Sequence, residues 1–205
     1  MITATRFRLE VSENEAANYI YASMKAIVEH RGRAFDLDEP TREHILAAAR
    51  WLVAPRPMGL LLMGLKGNGK TSLAKAIGKL ITYLTESELG YSNRKIVKYY
   101  KAKDICKICA AGEKFKERYD EFEKLYREEI LIIDELGKEP AEQTIFSIVQ
   151  TPIDDLLSER YERQLMTIVT TNLTADELKV KYESRLYDRF KEMFKVITFK
   201  NDSYR

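Results

Sequence analysis

A glycine-rich segment over residues 64–71 carries the residue types that bind a phosphate chain. It matches the pattern G-x-x-x-x-G-K-[ST] at every fixed position. Its three glycines let the backbone curl, so that several N–H groups point at one anion. Its lysine can reach the β- and γ-phosphates of a nucleotide, and its threonine hydroxyl can bind Mg²⁺. The segment predicts a P-loop for ATP or ADP with these binding residues: Gly64, Gly67, Asn68, Gly69, Lys70, Thr71 and Ser72.

An apolar run that ends in two carboxylates supplies the other half of such a site. Residues 130–133 lead directly into Asp134 and Glu135. Behind a P-loop, the first acid holds Mg²⁺ and the second polarises the attacking water as general base. The alternative is a buried strand that ends in acids for no catalytic reason. We expect Thr71 and Asp134 to bind Mg²⁺ and Glu135 to act in catalysis.

A polar side chain follows the next apolar run, at residues 166–169. Asn172 comes after two threonines there, and ligands of open α/β sheets bind at the carboxyl ends of strands. Asn172 could therefore orient the attacking water. It could instead cap a helix, but Thr174, three residues before Glu177, is the better cap.

Two arginines, Arg185 and Arg189, lie four residues apart in a helical stretch. They share one face of that helix and could reach the γ-phosphate bound by a neighbouring subunit. They could also form a surface array paired with Asp188 and Glu192. The spacing leaves both interpretations open.

Short, fully apolar runs alternate with amphipathic stretches from residue 59 onward, which predicts βαβ crossovers and a parallel sheet. The apolar run at residues 60–63 precedes the P-loop and a predicted helix follows it, which argues against a chance glycine loop. Before this region, Ser12 and Glu15 have the spacing of a capping box for a first helix. A second helix is expected from near Thr41 to about Ala54.

Composition limits the class of protein. The 205 residues are 45% hydrophobic with a net charge of +2, which excludes a uniformly basic protein that coats nucleic acid. Two cysteines cannot build a disulfide framework, and Cys106 and Cys109 are expected to pack in a helix. No apolar run approaches the length of a membrane helix and no secretory signal is present. We expect a cytoplasmic protein.

One local block is strongly basic. Residues 94–118 contain nine basic and three acidic side chains, with Tyr99 and Tyr100 interleaved. Lys98, Lys101 and Lys103 could bind the phosphates of single-stranded DNA while the aromatic rings stack on bases. The alternative is an ordinary solvated helical face.

Together these motifs resemble the DnaC/IstB group of AAA+ ATPases, which contains helicase loaders and transposase helper ATPases. The likeness covers residues 35–205. The segments that carry it are the P-loop, Ile-Ile-Asp-Glu-Leu-Gly-Lys-Glu at 132–139, Thr-Thr-Asn at 170–172, Ser-Arg-x-x-Asp-Arg at 184–189 and Asp-Ser-Tyr-Arg at 202–205.

The resemblance implies an α/β P-loop NTPase of the AAA+ (ASCE) type, with a five-stranded parallel sheet flanked by helices and no C-terminal lid domain. An ATPase domain at 35–205 would follow a short helical extension at 1–34, which is a candidate partner-binding element. The resemblance also implies assembly into a ring or spiral, in which Arg189, supported by Arg185, acts on the neighbour's nucleotide. Arg205 falls where the family places a sensor-2 arginine.

The function implied is ATP hydrolysis in DNA replication, with a replicative helicase as partner. Two alternatives are a transposition helper that acts on a transposase and, in a different class, a P-loop kinase for a small molecule. A kinase does not predict a glutamate at 135 together with an asparagine after the next strand. The chain could also be monomeric in isolation.

Overall fold

The structure is a computed structural model that describes residues 11–89, 95–111, 116–140, 142–145, 148–182, 184–201 and 203–204. Its helices are α1 Glu13–Glu29, α2 Glu39–Val53, α3 Lys70–Leu89, α4 Ala102–Ala111, α5 Lys116–Leu125, α6 Pro152–Glu162, α7 Ala175–Lys181 and α8 Ser184–Met193. Its strands are β1 Gly59–Gly64, β2 Val97–Lys101, β3 Ile130–Leu136, β4 Gln143–Ile145, β5 Ile148–Gln150, β6 Met166–Thr171 and β7 Phe194–Phe199.

Five strands form one parallel sheet in the order β2-β3-β6-β1-β7. The predicted α/β class and the five-stranded parallel sheet are therefore confirmed. Because all five strands run the same way, their carboxyl ends meet at one edge of the sheet. The P-loop after β1, the acids at the end of β3 and the threonines at the end of β6 are thereby brought together.

Helices cover both faces of the sheet, and the alternation of side chains along each strand decides which face a residue reaches. Leu60 and Leu62 of β1 pack with helices α1, α2 and α3, whereas Leu61 packs with α4, α5, α6 and α8. Residues on both faces are apolar in β1 and in β3 as far as Ile133, as expected for strands covered on both sides.

Helix α1 belongs to the first of these two cores. Its buried side chains, among them Ile20 and Met24, pack with α2 and α3 rather than standing apart from the sheet. The capping box predicted at Ser12 and Glu15 is present and begins the helix. The division of the chain at residue 34 stays a prediction.

Helix α2 begins at Glu39, two residues earlier than the sequence predicts. The Asp38 carboxylate accepts a hydrogen bond of 2.9 Å from the Thr41 amide and so acts as the N-cap. Pro40 lies in the first turn, where its missing N–H costs no hydrogen bond.

Strands β4 and β5 pair as an antiparallel hairpin between β3 and α6, which the sequence did not predict.

In α4, Cys106 and Cys109 are buried as expected, and burial raises the pKa of Cys106 to about 12 and of Cys109 to about 11. Both thiols therefore pack as apolar groups. In the described part of the chain, no helix combines the length and the apolar composition of a membrane span.

Candidate active site

The P-loop connects β1 to α3, and its glycines adopt backbone conformations that other residues rarely do. Gly64, Gly67 and Gly69 have φ values of 145°, 95° and 100°. At Gly64 a Cβ atom would also lie 2.4 Å from the carbonyl oxygen of Phe199 in β7. The glycine pattern therefore reflects both backbone conformation and the close approach of a neighbouring strand.

The Lys70 ammonium lies within this loop. It donates to the carbonyl oxygens of Gly64 and Leu65, each at 2.6 Å, and to Asn68 Oδ1 at 2.9 Å. Asn68 is itself buried, and its Nδ2 donates to the Phe199 carbonyl at 3.3 Å. Asn68 thus fixes the loop to β7 and presents Lys70 at the start of α3, where helix dipole and ammonium both favour an anion.

Asp134 is held by three hydroxyl groups. Thr71 and Thr170 donate to its Oδ1 at 2.9 and 2.5 Å, and Tyr99 donates to its Oδ2 at 2.5 Å. Only 2% of the residue is exposed. Thr71 and Asp134, the two predicted metal-binding residues, are therefore in direct contact. A hydroxyl and a carboxylate are oxygen ligands of the kind Mg²⁺ prefers, so this pair fits the metal.

Two of those hydroxyl residues were not assigned to the site from the sequence. Tyr99 was predicted to stack on bases, but its ring lies under the Lys75 ammonium at 4.4 Å and its hydroxyl binds Asp134. Burial, followed by this hydrogen bond, raises the pKa of Tyr99. A tyrosine in a strand beside the acidic strand was the available signal, but using it requires the order of strands.

Thr170 connects the two adjacent acids. Its Oγ1 donates to Asp134 and accepts a hydrogen bond of 3.0 Å from the backbone N–H of Glu135. The pairing of β3 with β6 shifts register between Ile133 and Leu136, and Glu135 has a φ of 61° in the left-handed region. This backbone is sparsely populated by residues with a side chain. It directs Asp134 into the sheet edge and Glu135 into the cavity.

Glu135 is paired with two lysines. Its carboxylate lies 2.5 Å from the Lys138 ammonium and 3.3 Å from that of Lys101. The hydrogen bond from Lys138 is the largest cause that lowers the pKa of Glu135. The group is therefore ionised at neutral pH, as a general base must be, and two cations share its charge.

A cavity of about 470 Å³ lies over these groups. One wall consists of the P-loop, Glu135, Thr170 and Asn172, and the other includes the end of α1, residues 31–36 and Tyr204. Asn172 is free of helix capping, because Thr174 forms the predicted capping box with Glu177. Its position on the same cavity as Glu135 is compatible with orienting a water molecule.

The segment near the C-terminus closes one end of this cavity. The Tyr204 amide donates to the Gly67 carbonyl at 3.2 Å, and its hydroxyl lies 2.8 Å from both Asp38 Oδ2 and Thr41 Oγ1. The loop before α2, the P-loop and this segment are thus joined. The predicted sensor residue Arg205 lies outside the described residues.

The predicted arginine pair lies on a different surface. Arg189 donates to Glu162 Oε1 at 3.0 Å, and its guanidinium carbon lies 5.4 Å from the centre of the Tyr161 ring. These residues belong to α8 and α6, and Arg189 does not line the cavity over the P-loop. If Arg189 acts on a nucleotide, that nucleotide is therefore one bound by another subunit. The side chain of Arg185 lies outside what the structure describes.

The predicted DNA-binding lysines do not share one surface. Lys101 pairs with Glu135 at the active site. Lys98, three residues earlier in β2, points to the opposite face of the strand. Lys103 is exposed on α4.

Comparison with known proteins agrees with this geometry. A crystal structure of the DnaC helicase loader is similar with a TM-score of 0.65 and 19% identity, covering 89% of this chain and 99% of that one. A crystal structure of DnaI gives 0.59 and 19%, covering 81% and 88%. The replication initiator DnaA bound to AMPPCP and single-stranded DNA gives 0.60 and 19%, covering 82% and 49%. At these identities the likeness shows the AAA+ fold.

A search of curated protein sequences finds no match. The sequence model of one family, however, described as IstB-like ATP binding protein, matches residues 32–205 and so includes every described group that faces the cavity from the sheet. On this match, the chain belongs to the IstB-like ATP binding protein family.

Proposed function

We propose that this protein hydrolyses ATP to drive the assembly of a protein–DNA complex, and that its specific task is to load a replicative helicase. The observation that carries the proposal is the contact of Thr71 with Asp134 beside a cavity that also holds Lys70 and Glu135. This combination binds a nucleoside triphosphate and activates water, which a binding module without turnover does not need.

Each group of the cavity has a role in that reaction. Bound Mg²⁺–ATP supplies the γ-phosphoryl group and the metal charge that neutralises it. Lys70 exchanges its loop carbonyls for phosphate oxygens, and Thr71 and Asp134 hold the metal. Glu135 accepts the proton of the attacking water, which Asn172 orients from the neighbouring strand.

The pairing of Glu135 with Lys101 and Lys138 affects this last step. Both ammonium groups stabilise the ionised carboxylate and so reduce its basicity. A general base is most effective when its pKa lies near the working pH. Full turnover therefore requires these contacts to loosen, which fits an enzyme whose activity depends on assembly.

Arg189 is proposed to complete the site of a neighbouring subunit in a ring or spiral. Its partner Glu162 is exposed, so exchanging this ion pair for a phosphate has a small energetic cost. Single-stranded DNA is a further proposed partner, with Lys103, which is exposed on α4, as the proposed contact.

A second candidate is a helper ATPase that directs a transposase. The match of residues 32–205 to the IstB-like family favours it. The likeness to the DnaC helicase loader over 99% of that chain agrees with loading. The two functions use the same ATP site and differ in the protein that the assembly acts on.

Steady-state ATP hydrolysis tests the proposal, measured with no small-molecule phosphoryl acceptor and then with single-stranded DNA and purified candidate partners. We expect turnover that rises with DNA and with the replicative helicase of the same organism. Stimulation by a transposase alone would favour the helper function. Turnover that requires a small-molecule acceptor would favour a kinase and contradict both.

Lys70→Ala serves as the reference variant. It removes the ammonium that meets the phosphates, so both ATP and ADP should fail to bind while the thermal unfolding midpoint stays close to that of the wild type. Retained nucleotide affinity in this variant would contradict the assignment of the P-loop.

A further inference from the structure

The turn that follows α1 places two arginines beside the cavity. The helix ends at Glu29, and Gly32 has a φ of 70°, which reverses the chain direction. Arg31 and Arg33, on either side of this glycine, both line the cavity over the P-loop. The turn thus adds two positive charges to a site whose other wall carries the phosphate-binding loop.

The two arginines differ in what they contact. The Arg33 guanidinium donates to the carbonyl oxygen of Tyr204 at 3.4 Å, at the end closed by Asp38 and Thr41. Arg31 lines the same cavity as Thr71 and Glu135. Because Thr71 donates to Asp134, the cavity that Arg31 lines lies beside the metal-binding pair.

Three other cations beside the metal-binding pair already have acceptors. Lys101 and Lys138 pair with Glu135, and Lys70 donates to its own loop. Within the described residues Arg31 pairs with no carboxylate, and its side chain is exposed to the cavity. A triphosphate bound along the P-loop directs its γ-phosphate toward the Thr71–Asp134 pair. An arginine fork at this place matches the planar arrangement of phosphate oxygens.

We propose that Arg31 is a phosphate-binding residue that contacts the γ-phosphate of ATP from the side of helix α1. This inference rests on the proposed ATPase function. Arg31 precedes residue 32, where the match to the IstB-like family begins, so the contact lies outside the part of the chain that the family match covers.

A consequence concerns the two nucleotide states. ATP has the γ-phosphate that Arg31 contacts and ADP lacks it, so only ATP adds this contact between the end of α1 and the nucleotide. Helix α1 packs on α2 and α3, and its Met24 and Val28 also line the cavity. The position of α1 is thereby linked to the presence of the third phosphate.

The test is the affinity of the full chain for Mg²⁺–AMPPCP and for Mg²⁺–ADP, measured by isothermal titration calorimetry. A charge-assisted hydrogen bond to phosphate corresponds to about a tenfold change in affinity or more. Arg31→Ala should therefore weaken AMPPCP binding about tenfold or more and leave ADP binding within about twofold. Arg31→Lys, which keeps the charge and loses the fork, should lie between the two.

Three controls make the result specific. Arg42→Ala removes an exposed arginine of α2 that does not line the cavity, and it should change neither affinity. Arg33→Ala should change both affinities by the same factor, because its contact is at the Tyr204 end. Lys70→Ala should abolish binding of both nucleotides. Thermal unfolding of each variant checks that the fold is intact.

Two results would overturn the inference and leave the proposed function standing. One is unchanged AMPPCP affinity in Arg31→Ala while Lys70→Ala binds nothing. The other is an equal loss for AMPPCP and ADP, which would move the contact away from the γ-phosphate. If the wild-type chain binds neither nucleotide, the proposed function fails together with the inference.

Discussion

Lys70 and Arg160 are two buried cations with similar surroundings and different uses. Lys70 is 6% exposed and Arg160 is 0% exposed, and each donates to backbone carbonyl oxygens. The acceptors of Lys70 belong to its own loop, at the edge of a cavity. Those of Arg160 come from separate elements, and burial lowers its pKa to about 9.

The guanidinium of Arg160 holds three parts of the chain together. It donates to the carbonyl oxygens of Leu125 at the end of α5, Glu128 in the following turn and Met166 at the start of β6, and to Thr167 Oγ1, at 2.8–2.9 Å. The lesson is that burial and carbonyl partners do not identify a binding residue. What distinguishes Lys70 is that its acceptors belong to its own loop and that it lines the same cavity as Thr71 and Glu135.

Arg189 tests this criterion with the largest expected effect. Its side chain is 22% exposed and pairs with the exposed Glu162. Arg189→Ala should bind AMPPCP with unchanged affinity and lose about 10³–10⁵ in ATP turnover, the usual effect of an arginine finger. The loss would be confined to turnover because the arginine stabilises charge that develops in the transition state. Steady-state rates and calorimetry separate the two quantities.

Mixing subunits shows whether this effect crosses an interface. Arg189→Ala keeps an intact ATP site and Glu135→Gln keeps an intact finger, so a mixed assembly should regain turnover at some junctions. The wild-type rate should also rise more than linearly with protein concentration. Full activity of Arg189→Ala, or no recovery in an assembly shown to form, would make Arg189 an ordinary surface residue of α8.

Glu135→Gln, a change in the cavity that Lys70 also lines, is expected to have the next largest effect on ATP turnover. The amide keeps the shape of the side chain and cannot accept the proton, so turnover should fall about 10²–10⁴-fold while ATP still binds. Lys138→Met is the matched control, since it removes a partner of Glu135 without removing the carboxylate. Wild-type turnover in Glu135→Gln would place the base elsewhere.

Arg160→Met tests whether the second buried cation contributes to stability rather than to nucleotide binding. The substitution leaves buried carbonyl oxygens without donors, so the free energy of unfolding should fall by about 3 kcal/mol, measured by urea denaturation. Folded Arg160→Met should bind AMPPCP with wild-type affinity. Lys70→Met should show the reverse, with lost binding and a nearly unchanged unfolding free energy.

Arg163→Met is the control for that experiment. Arg163 lies on the surface of the same region and pairs with Glu159, so its removal should cost no more than about 0.5 kcal/mol. An Arg160→Met protein that is as stable as Arg163→Met would show that the buried hydrogen bonds contribute little. An Arg160→Met protein that is stable yet fails to bind nucleotide would contradict the division of roles altogether.

The smallest expected effect concerns single-stranded DNA. Lys103→Glu should lower affinity several-fold and reduce the salt dependence of binding by about one unit of slope, because a phosphate contact releases about one counterion. Lys101→Glu should instead change ATP turnover, since Lys101 contacts Glu135. Fluorescence anisotropy at several salt concentrations measures the first effect. Identical slopes for Lys103→Glu and the wild type would make this face an ordinary solvated one.

The local parts of the site could be predicted from the sequence. The glycines at 64, 67 and 69, Lys70, Thr71 and the acids that follow an apolar run are near one another in the chain, and their chemistry depends on that spacing. The strands of the parallel sheet were predicted from the apolar runs, because a strand covered on both faces needs no polar alternation.

Only the tertiary structure decided which distant residues meet these motifs. Tyr99 and Thr170 reach Asp134 because β2 and β6 both lie next to β3. The order of the strands in the sheet cannot be deduced from the composition of any one strand. Arg31 reaches the cavity because α1 packs on α3 and a glycine turn follows it. These contacts join residues more than 30 positions apart along the chain. The conformational entropy lost in closing such loops is offset by the packing of the whole sheet and not by the local conformational preferences of the residues.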